Sequence, residues 1–171
     1  ISEVAYIYQI LTDTTIDVLA EGWSFNSFYN VELIPDNNNH IAAPSNVLRI
    51  DLHNNQRDRT YDLITIGGNI YDKYGQTDEF SDSIYIDYID GTEWSDIPVV
   101  FRRYIASRAS VRAATQLVTN KELVTLLASQ ESYLRASCME YECNQGTYSY
   151  LGNGSGTIYQ SYQPFNALNR Y

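Results

Sequence analysis

The stretch from Trp94 to Gly146, WSDIPVVFRRYIASRASVRAATQLVTNKELVTLLASQESYLRASCMEYECNQG, limits the possible folds most, because it reads as two long helices joined by a very short break. The first predicted helix opens with Asp96 as N-cap and Pro98 near the first turn, where a missing N–H and a preset φ carry no penalty, and it ends near Val118. A second cap at Thr119 or Asn120, with Glu122 in the first turn, starts a helix that Gly146 closes in a left-handed conformation. A connection this short makes the two fold back on each other. Ala106, Ser107, Ala109, Ser110, Ala113 and Ala114 crowd the first of the pair with side chains small enough to let a neighbouring helix approach closely.

Upstream, Val4, Ile7, Leu11 and Val18 recur at helical spacing and predict a helix facing a core on that side, with Gly22 as its stop. Thr12, Thr14 and Thr15 are poor helix formers, so this helix is expected to depend on tertiary packing. Between Trp23 and Glu93 the pattern changes to short β-branched and aromatic runs separated by Asn, Asp, Gly and Pro. The predicted strands are Tyr29 to Ile34, Val47 to Leu52, Tyr61 to Ile66, Asn69 to Tyr71 and Ser83 to Ile89. Gly67 and Gly68 tolerate the positive φ of a tight two-residue turn and predict a hairpin between the third and fourth. In the last strand Ile84, Ile86 and Tyr88 alternate with Tyr85 and Asp87, giving one core face suited to packing on helices.

The fold class is therefore α+β: an antiparallel helical bundle of residues 1–22 and 94–146, interrupted by a small antiparallel β-sheet insertion of residues 23–93 that projects from it. Residues 147–171, rich in Tyr, Gly, Ser, Asn and Gln without lasting periodicity, read as an extended arm. Its aromatic residues Tyr148, Tyr150, Tyr159, Tyr162, Phe165 and Tyr171 offer contact area to a partner, since such an arm cannot build a core of its own. The chain opens at Ile1 already in helical periodicity, from which a further segment upstream is expected.

Composition removes several function classes. Eleven basic against twenty-one acidic residues give a net charge of −10, and nucleic-acid affinity comes largely from Lys and Arg neutralising phosphates, which argues against a sequence-reading DNA binder. No apolar stretch approaches the roughly 20 residues that span a bilayer, so no membrane insertion is expected, and no export signal is visible. Cys138 and Cys143 point about 140° apart on a helix and do not pair with each other, which suits a reducing compartment.

Catalytic and metal-binding patterns are weak. His40 and His53 occur in no zinc, serine-triad or cysteine–histidine spacing and read as loop or surface residues. Gly152 to Gly156 lacks the Lys-Ser/Thr ending of a phosphate loop and reads as a flexible linker. Asp78, Glu79 and Asp82 in a turn, and Asp87, Asp90 and Glu93 after the last strand, lack the alternation of a calcium loop and read as solvated turn residues. The enzymatic alternative is a hydrolase of cell-surface polysaccharide using two of these turn carboxylates, Asp87 and Asp90, but the separation that such chemistry requires is not legible in sequence. A stand-alone β-rich binding module leaves the two long helices unexplained.

Four elements then follow one another along the chain. Gly22-Trp23-Ser24-Phe25-Asn26 with Leu33-Ile34-Pro35-Asp36 comes first, and Gly67-Gly68-Asn69-Ile70-Tyr71-Asp72 second. Trp94-Ser95-Asp96-Ile97-Pro98 leads into Phe101-Arg102-Arg103-Tyr104-Ile105 and Arg108-Ala109, and Cys138-Met139-Glu140-Tyr141-Glu142 closes the set. In this order they resemble the tail tubular protein A family, the adaptor or gatekeeper of T7-like short-tailed bacteriophages. The loop Asn37 to Pro44 and the tyrosine-rich arm depart from that pattern.

The resemblance implies a non-enzymatic ring, a homo-dodecamer between the portal protein and the tail nozzle (tubular B) protein, assembled in the host cytoplasm and resident in the virion tail. It implies no cofactor and no metal, and DNA passes through the centre during packaging and ejection without specific binding. Carboxylates suit that conduit, because they repel phosphates spaced roughly every 1.7 Å along the duplex. Ala106, Ala109, Ala113, Leu123, Leu127 and Leu134 are the expected subunit-interface residues, with packing of Ala109 and Ala113 inside one subunit an equal alternative. The arm residues are expected to contact a neighbour, the portal or the nozzle, and Ile70-Tyr71 and Tyr85 to Tyr88 the nozzle or tail fibres.

Overall fold

The computed structural model describes residues 2–53, 61–118 and 120–145. Its elements run α1 (Glu3–Leu19), β1 (Ser27–Leu33), β2 (Val47–Leu52), β3 (Leu63–Ile66), β4 (Asn69–Asp72), β5 (Ile84–Asp90), α2 (Val99–Leu117) and α3 (Lys121–Gln145). The chain is thus mixed α+β, with three helices and two small antiparallel sheets.

The Ser2 hydroxyl caps α1 by accepting from the Ala5 N–H at 3.3 Å, and the chain turns away through Gly22 at φ +79°. Val18 is buried and Leu11 packs on the helical core as the spacing expects, joined by Ile10, Thr14 and Leu19, whereas Val4 and Ile7 at the start of that face are exposed. At Val4 the cause is length: Tyr6 already reaches Gln116, one residue from the end of α2, so Val4 runs past its partner. Thr12, Thr14 and Thr15 donate to the carbonyls four residues back, and among the described residues Thr14 alone of the three also accepts from outside the helix, from Arg112 at 3.1 Å.

α2 begins later than expected. Pro98, at φ −55° and ψ 143°, is its N-cap; its ring has no acceptor for a side-chain cap hydrogen bond but fixes φ at the entry to the helix. Asp96 lies two residues earlier and accepts from the Ser95 hydroxyl at 3.2 Å instead of capping. At the next boundary Asn120 Oδ1 accepts from the Leu123 N–H at 3.1 Å, one of the two caps foreseen. The expected stop at Gly146 and the arm of residues 147–171 lie outside the described residues.

Contacts along the helices run in opposite senses. Phe101 meets Tyr141, Tyr104 meets Arg135 and Arg108 meets Glu131, so α3 returns antiparallel along α2. Tyr6 with Gln116 and Asp17 with Arg112 place α1 antiparallel on another side of α2.

The larger sheet has the order β1-β5-β2, all antiparallel, and β3-β4 forms a separate hairpin with Leu63 opposite Asp72 and Ile66 opposite Asn69. Gly67 and Gly68 carry φ of +62° and +86°, as a primed two-residue turn requires. Because β5 continues through Asp90, Asp87 and Asp90 belong to a strand and not to the turn after it.

Burial forms two clusters. Val18, Leu19, Trp23, Ile97, Phe101, Tyr104, Ile105 and Cys138 make the helical core. Ile41, Leu63, Ile70, Phe80, Ile84 and Ile86 make the second, to which no helix contributes. The expectation of a sheet packed on helices is therefore corrected: the core face of β5 packs on the β3-β4 hairpin and on the loop carrying Ile41. That loop is held by backbone bonds from Ile70 to Ile41 at 2.8 Å and from Ala43 to Gly68 at 2.9 Å, pairings too distant in sequence for periodicity to reveal.

Candidate assembly surface

The Gly22 to Asn26 segment joins the two clusters. Asn26 is fully buried; its Oδ1 accepts from the Trp23 N–H at 2.8 Å, and its Nδ2 donates to the Leu19 carbonyl at 3.0 Å and the Asp90 carbonyl at 2.9 Å. One amide thus ties the end of α1 to the end of β5. Trp23 Nε1 donates to the Val18 carbonyl at 2.7 Å, which lets an indole sit in the core with its polar edge satisfied.

A second tie crosses all three helices. Glu21, just beyond α1, accepts from Arg108 of α2 at 3.0 Å and from Arg135 of α3 at 3.2 and 3.0 Å. Both guanidiniums also donate to the buried Tyr104 hydroxyl, at 3.0 and 2.8 Å. Hydrogen bonds to Glu21 and Tyr104 hold Arg135 well above its ordinary pKa. Burial opposes the charge on Arg108, yet Tyr104 and Glu21 outweigh it and raise that group too. Spacing gave no sign of this clasp, because its members come from three distant segments.

These ties fix the helices while leaving apolar surface open. Ala106, Ala109, Ser110 and Ala113 of α2 line a groove of about 450 Å³ against Ile7 and Leu11 of α1. The small side chains therefore face the α1 side, and the α2–α3 seam is made by Phe101, Tyr104 and Arg108. Among the expected interface residues, Ala106 and Leu123 are exposed, Ala113, Leu127 and Leu134 are half-buried, and Ala109 is buried at the groove floor. Leu134 packs on the helical core. A wider groove of about 600 Å³ runs between α1 and the start of β2, with Tyr8, Leu11, Ile16, Leu48 and Trp94 along it. Val4, Tyr8, Leu126 and Tyr133 keep 77, 70, 67 and 73 % of their surface exposed, so α1 and α3 both present large apolar side chains that nothing in the described subunit covers. The arm residues Tyr148, Tyr150, Tyr159, Tyr162, Phe165 and Tyr171 lie outside the described residues.

A search of curated proteins returns no match. The sequence profile described as tail tubular protein matches residues 1–148, most of the chain. The chain belongs to the tail tubular protein family. It is accordingly a structural component of the virion tail that meets other tail components.

In this tail tubular protein the groups that suggested other chemistry are engaged in local contacts. His53 Nδ1 lies 2.6 Å from Asp87 Oδ1, which also accepts from the Asn30 N–H at 2.9 Å across a bulge in β1. His40 Nδ1 stands 3.3 Å from Asp78 Oδ2. Each histidine thus has an acidic neighbour that sequence spacing concealed. Asp90 accepts from the Thr92 hydroxyl at 3.3 Å. No group of three or more His, Cys, Asp or Glu side chains suited to a metal occurs among the described residues. No helix among them is long and apolar enough to cross a membrane. Cys138 is buried and Cys143 exposed, both as free thiols. Burial pushes the Cys138 thiol up to about 11, with Arg135 pulling slightly the other way. Asp72, in sequence only the last residue of the Gly67 to Asp72 motif, is buried and accepts from the Asp62, Tyr74 and Gly75 N–H groups at 2.9, 3.1 and 2.7 Å, closing the turn after β4.

Proposed function

We propose that this tail tubular protein is the adaptor of a short-tailed phage, a homo-dodecameric ring seated between portal and nozzle through which DNA passes without specific binding. The observation that carries the reading is the uncovered apolar surface on α1 and α3, held in place by a charged three-helix clasp. Large exposed apolar side chains on a fixed frame mark a protein made to be covered by others. A heterologous contact between copies, repeated by a rotation that closes, gives a ring.

On this reading Ala106, Ala113, Leu123 and Leu127 belong to the subunit contact, with Ala109 and Leu134 supporting the helices beneath it, and the aromatic arm from Tyr148 to Tyr171 reaches neighbouring components. The net charge of −10 keeps the inner wall from holding phosphates. Electron microscopy of tails built with full-length chain, and with residues 147–171 deleted, tests it. A symmetric collar beneath the portal with the full chain, and a folded subunit that builds no tails without the arm, are expected. Normal tails from the shortened chain end the role of the arm, and absence of the chain from the collar ends the adaptor reading.

A further inference from the structure

The groove between α1 and the start of β2 carries no charged side chain among its lining residues, and Trp94 on its rim is 41 % exposed. Its volume of about 600 Å³ falls within the roughly 300–1,000 Å³ of clefts that bury a ligand. The C-terminal arm has matching chemistry. Residues 146–171 hold six aromatic side chains and no carboxylate, and Arg170 is their single charge, so residues 1–145 carry −11 of the total −10. Two such bodies repel each other, and an aromatic segment whose one charged side chain is basic is the part of this chain that approaches a second copy without adding to that repulsion.

Length puts the groove of a neighbouring copy within reach. Fourteen residues lead from Gln145 to Tyr159, a reach of up to about 45 Å when extended. A compact body of this size is roughly 40 Å across. Docking on its own groove needs far less chain, because Glu142 at the end of α3 already accepts from Ser24 at 2.9 Å and Tyr141 packs on the cluster that contains Leu19 of the groove.

We propose that the arm of one copy seats Tyr159, Tyr162 and Phe165 in the α1–β2 groove of the next copy, against Leu11, Ile16, Leu48 and Trp94. This rests on the reading that the chain assembles with copies of itself.

The test uses full-length chain with the exposed thiol removed by Cys143→Ser. One preparation carries Thr12→Cys on the groove rim and a second carries Ser161→Cys on the arm; they are mixed and mildly oxidised, and assembly is followed in parallel by sedimentation. A disulfide-linked pair containing one chain of each kind is expected. It should fall at least tenfold when the groove chain also carries Ile16→Glu or, independently, Trp94→Gln, with circular dichroism checking that each still folds. A chain carrying both cysteines that closes only on itself overturns the proposal. Assembly without the mixed pair overturns the groove as the seat while leaving the ring intact, and failure of both assembly and cross-link removes the ring reading with it.

Discussion

At the scale of single residues, Asn26 ties the end of α1 to the end of β5. Its amide satisfies three backbone groups from segments that otherwise meet only at their ends, and stranding buried groups costs about 1–3 kcal/mol each. Leu19 O keeps a second partner in the Gly22 N–H at 3.1 Å, which limits the loss. Asn26→Ala should therefore destabilise the fold by about 3 kcal/mol, lowering the urea midpoint by about 1 M or more; a shift within error would show that water replaces the amide. Cys138 gives a second expectation. Its thiol is raised from the ordinary 9.0 to about 11, so its burial supports the fold fully below pH 9 and that support is lost as pH rises through 11. Native protein near pH 8 should consume one equivalent of alkylating reagent, at Cys143, and two after unfolding. Two in the native state would mean that the α2–α3 seam opens readily. The sequence showed Asn26 as part of a motif but not its partners, because Leu19 and Asp90 lie 7 and 64 residues away.

At the scale of elements, local signals were legible and lateral ones were not. Gly67-Gly68, the Asn120 cap and the Val47 to Leu52 strand depend on near neighbours, and the structure has them where expected. Which face each element buries depends on what lies opposite. β5 illustrates this: Ile84 and Ile86 face the hairpin cluster, while Ile89 is also buried, out of step, beside Gly22. The small-residue stripe of α2 was visible as composition, yet its split between buried Ala109 and exposed Ala106 required the position of α1. That split allows folding and assembly to be tested separately. Ala109→Gly removes a buried methyl group from the middle of α2 and should cost about 1 kcal/mol in the isolated subunit. Ala106→Leu should leave thermal stability within about 0.5 kcal/mol while reducing ring formation measured by sedimentation. Ring formation unchanged by Ala106→Leu would take this part of α2 out of the subunit contact.

For the whole molecule, charge and apolar exposure oppose one another. Copies that each carry −10 repel when their bodies approach, while uncovered side chains on α1 and α3 favour contact. Raising salt from about 0.01 M to 0.15 M shortens the range of repulsion from about 30 Å to about 8 Å, and apolar contact is little affected by such a change. Assembly of the purified chain should therefore strengthen with salt over this range. It should strengthen again as pH falls towards the sequence isoelectric point of about 4.4, where carboxylates lose their charge. Sedimentation at fixed protein concentration reads both effects. Weakening with salt would instead mean that complementary charges carry the subunit contacts, and would place carboxylates at the interfaces and not on the proposed DNA passage.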